Sequence, residues 1–228
     1  MGDRDATEAV RRRLQPAALS GDPAAGVAAV PDAIDAGLLQ AAVPVAIVAL
    51  RHGASVGLDL HRLVDALTAR GWDGDDVAVE ALHAARSGTP TGRTEIPADL
   101  EMLGDVLGQQ LGGYLELATG DAWPASVFED GAFEDDGDPD EDTERWLYVP
   151  GDSRDAWQDM ADFAAHAPDP HVRELLQLAI EGRGAFNRFK SALDRHPSYW
   201  CDWHVWSGER AVGRARSWLA SEGYDPLP

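Results

Sequence analysis

Residues 114–124 read Y-L-E-L-A-T-G-D-A-W-P, and this stretch decides the fold class. Tyr114, Glu116 and Ala118 alternate with Leu115 and Leu117, the two-residue period of a half-buried strand. Thr119-Gly120-Asp121 has tight-turn composition, so the spacing predicts a hairpin whose return strand runs from Trp123 to Phe128. Arg145 to Val149 (R-W-L-Y-V) predicts a third strand. Almost everything around these strands carries a helical period instead.

Downstream, Pro150-Gly151 ends the third strand. Asp152 or Ser153 then caps a helix with Trp157, Met160, Ala161 and Ala164 on one face. Pro170 opens a second helix, carrying Val172, Leu175, Leu176, Ala179 and Ile180 and ending at Gly182. Ala185 to Leu193 predicts a short helix closed by His196-Pro197. W-C-D-W-H-V-W (200–206) reads as a short strand, after which Ser207 begins a last helix ending at Gly223. Upstream, Ala98 to Leu107 predicts a helix, and S-G-T-P-T-G-R-T-E-I-P (87–97) is linker composition. Before it the chain reads as helical: Thr7 to Leu14, Leu58 to Ala69 with Gly71 as its stop, and Asp73 to Ser87. Residues 24–50 predict short helices meeting at Pro23, Pro31 and Pro44, because proline breaks the helical ladder. The expected fold is α+β and mainly helical. A helical N-terminal region (1–90) precedes a domain (98–228) with a small antiparallel sheet, a hairpin plus one or two short strands, and an acidic loop at 129–144.

The formal net charge is -21, with 40 acids against 19 bases. Residues 129–144 hold ten of those acids and no base, leaving -11 for the rest, so a local basic patch is credible. A surface this acidic repels phosphate backbones and anionic lipid, which disfavours nucleic-acid and membrane partners. The single cysteine, Cys201, excludes an intrachain disulfide and a Cys-rich zinc cluster. The N-terminus lacks an apolar core like that of a signal peptide. The longest apolar run, Ala41 to Leu50, is broken by Pro44 and far short of the roughly 20 residues needed to span a bilayer. These features predict a soluble cytoplasmic protein.

Positive charge concentrates in E-G-R-G-A-F-N-R-F-K (181–190). Its mechanical reading is a glycine-ended helix followed by a second one that Phe186, Phe189 and Leu193 pack into the core. Its functional reading is an anion cup: amides opening the helix at Ala185 to Asn187, with Arg183, Gly184, Arg188 and Lys190 as binding residues. The pattern is neither a Walker loop nor a dinucleotide fingerprint. In the acidic loop Asp136, Asp138, Asp140 and Asp142 alternate, but Pro139 and a missing glycine spoil a calcium template. A solvated run fits better, and one role for it is to cover the basic patch at 183–195. Trp200, Trp203 and Trp206 recur every three residues, which reads first as core packing and second as an aromatic platform. Cys201, His204 and His196 make an incomplete zinc set, so no metal or cofactor is expected. Glu116, Asp121 and Asp155 are the carboxylates that could serve an acid/base with Arg183 as anion holder.

The element order after residue 97 resembles the uncharacterised protein family 0158 of bacteria. The residues that carry the likeness are L-E-L-A-T-G-D-A-W (115–123), D-S-R-D-A-W-Q-D-M-A-D-F (152–163), A-I-E-G-R-G-A-F-N-R-F-K (179–190) and R-A-R-S-W-L (214–219). The resemblance covers residues 98–223, implies the same architecture, and supplies no reaction, cofactor or partner. The leading expectation is a non-enzymatic binding or adaptor module that holds a small anionic ligand or an acidic protein segment at the Gly-Arg-Gly turn. The alternatives are an enzyme with a carboxylate-lined cleft beside that turn, and a nucleic-acid-associated protein. The sequence leaves the oligomeric state open.

Overall fold

The computed structural model describes residues 6–14, 26–54, 57–129 and 139–228. Residues 6–14 are helical. They are followed by α1 (Val30–Asp35), α2 (Leu39–Arg51), α3 (Leu60–Arg70), α4 (Asp75–Ser87), β1 (Thr94–Ile96) and α5 (Leu100–Leu107). Then come β2 (Gly113–Glu116), β3 (Ala122–Pro124), α6 (Ala125–Glu129) and β4 (Trp146–Val149). The chain closes with α7 (Ser153–His166), α8 (Pro170–Ala179), α9 (Ala185–Asp194), α10 (Pro197–Ser221) and β5 (Tyr224–Pro226). The architecture is α+β and mainly helical.

The hairpin forms where the alternation put it. β2 lies between β3 and β4 in an antiparallel sheet, with Tyr114 opposite both Trp123 and Tyr148. The return strand is shorter than expected: Pro124 cannot donate to a ladder, and residues 125–129 coil into α6. Aspartates start four helices, with Asp59, Asp99, Asp152 and Asp169 each accepting from amides of the first turn. Pro31 opens α1, but Pro44 does not divide the next segment. It sits inside α2, where nine buried residues hold the helix together despite one missing ladder bond. The acidic residues 130–138, and with them Asp136 and Asp138 of the calcium reading, lie outside the described residues, as does Pro23.

The largest correction concerns residues 200–206, which are helix rather than strand. They form the N-terminal half of the 25-residue α10, opened by Pro197 at its first turn. Trp203 and Trp206 point into the core of α7, α8 and α9, beside Phe163 and Phe189. Val205 packs on the N-terminal core built around α2, and Ala215 and Leu219 pack under the sheet with Leu103, Leu115 and Val149. One helix therefore serves three cores. Residues 94–96, read as linker, are tied to it as well: β1 pairs in parallel with β5, Thr94 opposite Tyr224 and Ile96 opposite Pro226.

Candidate functional site

A cluster of buried charge lies where α10 crosses the N-terminal layer. Glu209 accepts the backbone amides of Gln40 and Ala41 at 2.7 and 3.2 Å, capping α2, whose own cap residue Leu38 has no side chain to do so. Arg70 joins Glu209 (2.9 Å) to Asp75 (2.7 Å). Gln40 donates from Nε2 to Asp75 at 2.9 Å and accepts from Nε of Arg216 at 2.8 Å. Burial pushes the Glu209 carboxyl above its ordinary range, against the pull of Arg70 and the two amides.

Arg216 is the odd member. It is 2% exposed, and its Nη2 has no hydrogen-bond partner among the described residues. Burial lowers its pKa to about 10, more than Glu209, Asp225 and Asp75 restore, so the guanidinium remains charged at neutral pH.

Arg216 lines a groove of about 800 Å³ that follows α10. Glu209 and Arg216, seven residues apart, face Gln40 and Ala41 of α2, while Ala211 meets Gly104 of α5 and Arg214 meets Asp159 of α7. The apolar wall includes Leu14, Ile47, Leu100, Val212 and Trp203. Arg214 is committed, holding buried Asp159 with both Nη atoms at 3.0 and 2.8 Å. Arg11 is not: its Nη2 lies over Gly208, 3.6 Å from where a Cβ would stand, and it makes no ion pair among the described residues. Asp105 stands on the α5 side of the groove, its carboxyl raised by partial burial and then by Asp99.

The Gly-Arg-Gly turn is built as its glycines suggested, with Gly182 at φ 69° and Gly184 at φ 75° starting α9. Its arginines do different work. The Arg188 fork turns back on the end of α8, donating to the carbonyls of Ala179 (3.1 Å), Gly182 (3.3 Å), Glu181 and Arg183. Arg183 is exposed, and neither it, Gly184 nor Arg188 lines the groove. Lys190 does reach a hollow, together with Trp200, Trp203, His204 and Ser207.

The other carboxylates singled out in the sequence are scattered. Glu116 pairs with Arg145 at 2.7 Å and accepts from Thr119 at 3.0 Å. Asp155 lies 3.7 Å from Arg214, its carboxyl raised by burial and pulled back by that arginine. Glu116, Asp121 and Asp155 are absent from the groove lining. Among the described residues no three His, Cys, Asp or Glu side chains gather as a metal site. Nor is any described helix long and apolar enough to cross a membrane.

Sequence reading missed Gln40, Glu209 and Arg216. The available signal was G-E-R-A-V-G-R-A-R (208–216), where glycines at 208 and 213 interrupt a charged helix. Glycine is costly inside a helix unless another group must approach closely. No protein-family model matches the chain, and neither a search of curated proteins nor one of solved structures finds a match.

Proposed function

We propose that this protein is a binding module for a small amphipathic anion, a carboxylate or phosphate on an apolar body, held in the groove along α10. The observation that carries this reading is Arg216, a buried guanidinium in the groove lining whose Nη2 has no hydrogen-bond partner among the described residues. A buried charged donor without an acceptor costs about 1–3 kcal/mol, which an incoming anion recovers. Arg11 supplies a second uncommitted cation, and the apolar wall supplies the surface for the rest of the ligand. The groove lies within the range of roughly 300–1,000 Å³ that small-molecule sites occupy. Binding without turnover is favoured because the buried carboxylates Glu209 and Asp159 are saturated by arginines and amides.

The anion expected from the sequence is thus kept, and its place moves from the Gly-Arg-Gly turn to α10. A single cysteine supports a reducing cytoplasmic setting. The likeness to family 0158 rests on the residues quoted above and adds no activity.

The test compares dodecanoate with dodecyltrimethylammonium by calorimetry. A protein of net charge -21 attracts the cation in bulk, so preference for the carboxylate must come from the site. Dodecanoate should bind and the ammonium should not, and Arg216→Met should weaken dodecanoate by at least about tenfold. Equal binding of both detergents, or an unchanged affinity in Arg216→Met, would overturn the reading.

A further inference from the structure

The groove has a second hollow at its outer end. It encloses about 500 Å³ and shares Trp203, His204 and Ser207 with the main groove, adding Trp200 and Lys190. Its rings are held in place. Trp200 and His204, four residues apart on α10, stack with centroids 5.1 Å apart and planes 20° apart, and Trp200 Nε1 donates to Asp194 at 3.1 Å. Trp203 is wedged edge-on between Phe163 (5.3 Å) and Phe189 (4.8 Å). Lys190 makes no ion pair among the described residues, so its ammonium is available at the edge of the hollow.

Arg216 and Trp203 stand thirteen residues apart on one continuous helix. At 1.5 Å rise per residue and 3.6 residues per turn, that is about 20 Å along the axis and well over a quarter-turn around it, and Trp200 extends the axial separation to about 24 Å. A short anion at Arg216 therefore leaves the outer hollow empty. Rigid flat walls favour a flat occupant, because stacking on a pre-ordered ring loses little side-chain entropy.

Resting on the reading of Arg216 as the anion site, we propose that the occupant is an elongated molecule. It carries an anionic group at one end and a planar aromatic group at the other, and the aromatic end sits against Trp200, Trp203 and His204 beside Lys190. The apolar stretch between them provides the body of the contact.

Three probes separate the parts: pyrenyldodecanoate, pyrenylbutanoate and plain dodecanoate, titrated by calorimetry and by energy transfer from tryptophan to pyrene. Pyrenyldodecanoate reaches both ends and should bind about tenfold more tightly than either other probe. Trp200→Ala should cost pyrenyldodecanoate about tenfold and leave dodecanoate unchanged. His204→Ala, at an exposed position that does not threaten folding, should weaken the same probe selectively. Equal affinities for the long and short pyrenyl acids, or unchanged binding of pyrenyldodecanoate in both variants, overturn this inference. If Arg216→Met still abolishes dodecanoate binding in that case, the proposed function stands. If Arg216→Met leaves every probe unaffected, both fall together.

Discussion

Arg216 carries a cost that the fold does not recover by itself. Its folded pKa of about 10 lies well below the ordinary range of a guanidinium. A depressed folded pKa means stability that is present above the unfolded value and lost as pH falls through 10. At neutral pH the buried charge therefore burdens the fold by about 3 kcal/mol. Arg216→Met sheds that burden and leaves Gln40 Oε1 without its donor, a loss of about 1–3 kcal/mol. The two nearly cancel, so the melting temperature should stay within about 5 °C of the native protein while anion binding collapses. A fall of about 15 °C would instead mark Arg216 as structural. The same pKa sets a pH limit on binding. Dodecanoate affinity, followed by calorimetry in alkaline buffers, should hold from neutral pH and decline as pH passes about 10, where the guanidinium loses its proton. A flat profile through that range would remove Arg216 as the charge that holds the ligand.

α10 depends on glycine where it meets its neighbours. A Cβ on Gly213 would lie 2.2 Å from the carbonyl oxygen of Asp73, and one on Gly74 2.0 Å from that of Gly213. Backbone touches backbone there, so Gly213→Ala has no side chain to push aside and should cost about 3 kcal/mol or more in urea unfolding. Gly182→Ala meets nothing within 4 Å and should cost only about 1 kcal/mol, for its positive φ. Comparable losses at the two positions would contradict the close crossing. The elements themselves were unequally legible. Strand alternation at 114–117 and the helical periods of α3, α4, α7 and α8 could be read directly, because in each the buried residues recur at the period of the element itself. Residues 200–206 could not, because tryptophans and valine favour strands locally while α10 buries them on two sides. The site was less legible still. Arg188 was recognisable as a cation beside a turn, but its four carbonyl partners depend on how the chain folds back. Arg216 was hidden because Gln40, the residue that positions it, lies 176 positions away in sequence.

At the scale of the molecule, one ion network makes the N-terminal helical layer and the C-terminal α+β part depend on each other. Arg70 on α3 donates to Asp75 at the start of α4 through Nε and Nη2, and to Glu209 on α10 through Nη1. Asp75 and Glu209 are almost fully buried, at 1% and 3% exposure, so neither has water to fall back on. Deleting one partner of such a group leaves uncompensated charge, and Arg70→Ala should cost about 3–5 kcal/mol. The loss should also be uneven. Seven of the eight tryptophans lie beyond residue 120, so their fluorescence reports mainly the C-terminal part, whereas far-ultraviolet dichroism reports all helices. In the native protein the two signals should share one urea transition, since α10 contributes to three cores at once. In Arg70→Ala they should separate, dichroism falling first as α2, α3 and α4 loosen from α10. Anion affinity should fall in the same variant, because Asp75 fixes Gln40 and Gln40 fixes Arg216. Coincident curves with unchanged affinity would mean that apolar contacts alone join the two parts. A split with weakened binding would mean that the buried network both joins them and aims the cation into the groove.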